Sequence, residues 1–128
     1  MARNLPALIA LLFGLAACQS RTQMPIKTEG VAVPVSAEQL LCHARKIAAE
    51  QSLYFHFGTF TDNHEPKATI RLIGDKLELE LLKWGAGPDY ELRAYDMSDD
   101  GSQLREAEAT FVRFKGALVG RMKQSCPA

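Results

Sequence analysis

Polar and apolar residues alternate most regularly between Lys76 and Lys83, where Leu77, Leu79 and Leu81 are separated by Glu78 and Glu80. A period of two is that of a strand with one buried face. Leu53–Thr61 alternates as well and is rich in aromatic residues; Lys67–Ile73 and Tyr90–Tyr95 complete a set of four predicted strands. Gly74-Asp75 between two alternating runs signals a two-residue hairpin. Trp84–Asp89 reads as a loop, and Asp96–Gly101 as a turn cluster.

Either side of these runs the period lengthens to that of a helix. Ser36 and Gln39 form a capping-box pattern, with Val35 and Leu40 as a hydrophobic staple. Leu40, Leu41, Ala44, Ile47 and Ala48 then make one apolar stripe, and this helix should end near Gln51. Ser102 is the expected cap of a second helix, whose stripe is Leu104, Ala107, Phe111, Phe114, Leu118 and Met122. Glu106 and Glu108 near its start and Arg121 and Lys123 near its end complement the helix dipole. Gly116 and Gly120 lower its propensity by about 1 kcal/mol each and leave room for close helix approach or loose ends.

Helix, four strands, helix with short connections implies an α+β two-layer sandwich. The expected sheet is a four-stranded antiparallel meander. One face carries Leu53, Phe55, Phe57, Ile70, Leu72, Leu77, Leu79, Leu81 and Leu92, and two antiparallel helices are expected to cover it.

Composition narrows the function classes. The chain has 128 residues, enough for one domain. It carries 15 Lys+Arg against 15 Asp+Glu, so no strong positive field points to nucleic acid. It is 47% hydrophobic and 23% charged, ordinary values for a globular chain.

Met1-Ala2-Arg3-Asn4 is followed by an uncharged run from Leu5 to Ala17, 13 residues long. That is too short to span a bilayer, which takes about 20 residues, but suits a secretory signal peptide. Leu15-Ala16-Ala17-Cys18 resembles the lipobox of bacterial lipoproteins. The resemblance implies cleavage before Cys18 and lipid on its thiol, with an ordinary signal peptide as the alternative. Gln19 in place of Asp favours the outer membrane over retention in the inner one, by analogy with enterobacterial sorting. The expected organisation is a signal peptide over 1–17, the lipidated Cys18 and a flexible tether over 18–34, and a periplasmic α+β domain over 35–128.

Cys42 and Cys126 remain, and an oxidising compartment makes a disulfide between them the expectation. Cys42 lies about 160° from the centre of its helix's apolar stripe, so Ser125-Cys126-Pro127 would have to fold over the helix to reach it. Two free thiols, or bonds to another protein, are the alternatives.

The motifs of catalysis are missing. There is no Gly-x-Ser-x-Gly and no phosphate loop. His43 is expected on an exposed helix flank, His56 on the outer sheet face beside Tyr54, and His64 in a turn. They lack the clustering of a zinc site. Glu78, Glu80 and Glu91 face Arg71 and Arg93 across the outer sheet face, which reads as a salt-bridged surface rather than a catalytic pair. No catalytic residue, metal or cofactor is expected.

By alternation Phe60, Leu82 and Trp84 also point to the outer face, gathered at one end of the sheet. Such a cluster is either a surface for a partner or local packing under the Gly85-Ala86-Gly87 loop. The resulting expectation is a non-catalytic outer-membrane lipoprotein that binds another envelope protein. A module for a small ligand or a hydrolase inhibitor is the alternative.

Overall fold

The computed structural model describes residues 24–62, 65–83 and 88–127, with the backbone alone at 60–62 and 65–67. Its elements in chain order are β1 (Lys27–Ala32), α1 (Ala37–Glu50), β2 (Tyr54–Asp62), β3 (Glu65–Ile73), β4 (Leu77–Lys83), β5 (Asp89–Asp96) and α2 (Leu104–Arg121). The fold is α+β, with two helices packed on a five-stranded antiparallel sheet of order β1-β5-β4-β3-β2.

The sheet has five strands where the alternation pattern predicts four. The additional strand, β1, lies in the segment expected to be tether, so the ordered fold begins ahead of Val35. It pairs with β5 from Lys27 opposite Ala94 to Ala32 opposite Asp89. No apolar alternation marks it, because two of its three inward residues are Lys27 and Glu29. Their stems do the work of apolar side chains. Lys27 Nζ lies 5.3 Å from the centre of the Phe111 ring. Glu29 is ion-paired with Lys115 on α2, a contact that holds its carboxyl below the usual range.

The strongest alternating run forms the strand it predicts. Leu77, Leu79 and Leu81 of β4 are buried, and Glu78 and Glu80 lie on the other face. Gly74 N–H donates to the Leu77 carbonyl at 3.0 Å, which closes the β3–β4 hairpin around Asp75 and Lys76. Lys76 takes φ +55°, the left-handed conformation such a turn requires.

Ser36 caps α1, its hydroxyl accepting from Gln39 N–H at 3.2 Å. The reciprocal half of the capping box does not form, because the Gln39 amide is bonded elsewhere. Leu40, Ala44, Ile47 and Ala48 are buried as their spacing predicts. The start of α2 differs from expectation: Gln103, not Ser102, stands at its cap, without a side-chain bond. Leu104 leaves the predicted stripe and is 48% exposed, while Thr110 joins the buried face and donates to the Glu106 carbonyl at 2.7 Å.

One continuous core results. Phe111, Phe114 and Leu118 of α2 and Leu40 and Ile47 of α1 pack against Ile70, Leu72, Leu79, Leu81 and Leu92. Each such side chain contributes about 1.5–3 kcal/mol by leaving water. Phe114 is fully buried, so Phe114→Ala is expected to lower stability by about 3–5 kcal/mol. Chemical denaturation should show an unchanged m-value and a lower midpoint.

Candidate functional site at the tied tail and the far end of the sheet

Gln39, Cys42, His43 and Lys46 lie at positions i, i+3, i+4 and i+7 of α1, so they share one face. That face is occupied by the chain's own C-terminal tail. Cys42 and Cys126 are joined by a disulfide with their Cα atoms 6.1 Å apart, within the range such bridges span. The orientation of Cys42 away from the sheet is satisfied because the tail crosses over the outside of α1.

Four polar contacts hold the tail there. Gln39 Oε1 accepts from Cys126 N–H at 2.6 Å, and Gln39 Nε2 donates to the Cys126 carbonyl at 3.2 Å. The Gln39 side chain thus acts as a short stretch of strand. Lys46 Nζ donates to the Pro127 carbonyl at 2.7 Å. His43 Nε2 lies 3.0 Å from the Gln124 carbonyl, which assigns its proton to that nitrogen. His43 is 4% exposed, not on an open flank as its helical position suggests. Beside the tail an open groove of about 440 Å³ runs past Glu38, Leu41, Arg45 and Lys46.

The other expected site lies at the end of the sheet where β1 finishes. Val33 N–H donates to the Pro88 carbonyl at 2.9 Å, so the start of α1 and the β4–β5 connection meet there. The bridge at Cys126 reaches this end through Gln39. Leu82 pairs with Thr69 on β3 and Glu91 on β5, on the outer face as its alternation predicts. Its side chain is nevertheless only 2% exposed, so Leu82 offers no surface of its own. Phe60 stands opposite Lys67, with its side chain outside the described residues. Trp84 and His64 also lie outside them, as does Cys18.

The remaining outer face is polar and internally paired. Arg71 Nε donates to Glu78 at 3.0 Å, and Arg93 Nη2 to Glu91 at 3.1 Å. Glu80 accepts from the Tyr95 hydroxyl at 3.1 Å and from Thr69 Oγ1 at 3.5 Å. Burial is the main cause that pushes the Tyr95 phenol above its ordinary value. His56 is exposed on this face, opposite Arg71. Among the described residues no group of His, Cys, Asp and Glu is arranged to hold a metal ion. No described helix is long and apolar enough to cross a membrane.

No family model, curated protein or solved structure matches the chain.

The reading by pattern takes the tail over the helix to Cys42 but misses Gln39, His43 and Lys46 as the residues that hold it. Their signal is present, since a polar and cysteine-bearing face at i, i+3, i+4 and i+7 stands opposite the apolar stripe. The bridge closes a separation of 84 residues, worth about 4 kcal/mol in the chain-entropy account. Cys126→Ser is therefore expected to cost about 2–5 kcal/mol. Gln39→Ala should cost less and leave the bridge intact. Thermal unfolding checks both, and non-reducing peptide mapping should recover Cys42 linked to Cys126 in the parent chain.

Proposed function

We propose that this chain is an outer-membrane-anchored lipoprotein whose periplasmic domain is a non-catalytic binding or assembly subunit of the bacterial envelope. The observation that carries the reading is the Leu15-Ala16-Ala17-Cys18 run behind an uncharged segment of 13 residues. The Cys42–Cys126 bridge supports it, because such bonds persist in oxidising compartments such as the periplasm. The pairing of Glu78, Glu80 and Glu91 on the outer face favours binding over catalysis, since these carboxylates already have partners.

Residues 19–26 separate Cys18 from β1 and reach at most about 30 Å when fully extended. β1 follows the tether at its Lys27 end and is about 20 Å long, so a tether of that reach leaves either end of the strand free to face a partner. The Val33–Pro88 contact lies at the opposite end of β1 from the tether. Trp is enriched in binding hot spots, so position 84 is the first to probe for contact with another envelope protein.

Cys18→Ser is expected to release the protein from the membrane fraction or leave an unprocessed precursor. Unchanged fractionation would remove the lipoprotein reading. Photo-crosslinking in living cells should give one discrete adduct from positions 84 and 60, and none from Thr28 on the far edge strand. Absence of any adduct would remove the docking role and put the small-ligand or inhibitor module in its place.

A further inference from the structure

We propose that the free edge of β2 is a self-association surface. In this arrangement two copies pair their β2 strands antiparallel about a two-fold axis, with Gly58 opposite Gly58. The sheet then runs through both molecules as ten strands, twice the five of a single copy. The proposal does not depend on the lipid anchor.

β2 is the outermost strand of the sheet and spans Tyr54–Asp62. The hydrogen-bonding direction of each of its residues follows from the ladder. Gly74 and Leu77 form a bonded pair, so in the antiparallel alternation the even-numbered residues of β3 bond to β4. The odd-numbered residues of β3 then bond to β2. Their partners are Tyr54, His56, Gly58, Phe60 and Asp62. The backbone groups of Phe55, Phe57, Thr59 and Thr61 face outward, a row of donors and acceptors with no ladder partner among the described residues.

Nothing in the sequence blunts this row. From Tyr54 to Thr61 there is no Lys, Arg, Asp, Glu or Pro. Natural sheets protect open edges with such residues, with bulges or with very short strands. The opposite edge does so: β1 has six residues and turns Lys27 and Glu29 inward. β2 has nine, and it exposes apolar surface on both faces. Tyr54 is 67% exposed and Phe57 46%.

A second copy is the occupant because the strand is complementary to itself. Its midpoint is Gly58. Antiparallel pairing about that residue sets Phe57 opposite Thr59 and Phe55 opposite Thr61. These are the four residues with outward backbone groups, so the pairing closes four bonded pairs across the axis. His56 falls opposite Phe60, and Tyr54 opposite Asp62. Aromatic residues meet β-branched ones, a favoured cross-strand combination. Asp62, the strand's single acidic residue, meets the neutral Tyr54 and not its own copy. Gly58 sits at the axis in a non-bonded pair, where Cα atoms approach to about 4.5 Å and side chains crowd most. The interface is small for a stable dimer, so covalent trapping is the appropriate test.

Single cysteines are introduced into the full-length chain, oxidised in intact expressing cells, and read on non-reducing gels of the whole lysate. A Cβ at Gly58 meets His56 Nε2 at 3.5 Å, an ordinary contact, so Gly58→Cys is tolerated. It should trap a dimer, since Cα atoms about 4.5 Å apart suit a disulfide. Tyr54→Cys alone should not, because its copy lies eight positions along the strand, about 27 Å away. Tyr54→Cys co-expressed with Asp62→Cys should trap the heterologous pair while leaving Gly58 in place. Thr59→Pro removes an outward N–H without touching the β2–β3 ladder. It should cut trapping at the 54/62 pair at least about ten-fold, with the Cys42–Cys126 bridge intact by peptide mapping. Equal trapping from positions 54, 58 and 28 would mean random collision and overturn the proposal. So would trapping at neither 58 nor 54/62, or capture of position 58 by a different protein alone.

Discussion

The fold depends on covering one face of the sheet. Leu72, Leu79, Leu81, Leu92 and Ala94 are fully buried on that face, in two neighbouring rows across β3, β4 and β5. A sheet cannot leave such a surface in water, and among the described residues α1 and α2 cover it. Phe111 and Phe114 supply the bulk from one helix; Ile47, Ala44 and Ala48 supply a flatter surface from the other. The small residues of α1 and the large ones of α2 divide the space between them, which is how two unequal helices fill one layer.

α1 carries a second burden. Its outward face holds the C-terminal tail through Gln39, Cys42, His43 and Lys46, so this 14-residue helix is engaged on two sides. The covalent bond removes freedom from the unfolded chain, while the polar contacts act in the folded one. Arg121 adds an ion pair to Glu50 before the tail turns back. Helix and tail therefore form one unit, and residues 124–127 belong to the architecture as much as the core does.

The sheet and helices were legible because apolar periodicity dominated locally. β4 alternates without a fault, and the buried positions of α1 sit where its stripe puts them. β1 was not legible, because its inward residues are charged and its stabilisation comes from Phe111 and Lys115, more than 80 positions away in the chain. His43 was misplaced for a similar reason: a helical wheel sees one core, and this helix faces a second partner. The expected bridge needed only the parity of cysteines, whereas the contacts that seat it needed three dimensions. Leu82 marks the limit of alternation as a guide, since a residue on the outer face can still be covered.

The two edges of the sheet are treated differently, and that asymmetry bears on how the molecule meets others. At β1 the chain spends Lys27, Glu29 and Lys115 on ion pairs that close over Phe111, at little net gain because such pairs are worth little near the surface. Their better-supported effect is to make the edge a poor template for another strand. At β2 seven of nine residues, counting His56, are aromatic or β-branched, and the one charge, Asp62, stands at the strand's end. Random exposure of apolar residues scatters them singly, whereas Tyr54 and Phe57 are exposed together on this edge strand. An edge left open in a chain that closes its other edge is a feature to be explained by association rather than by stability.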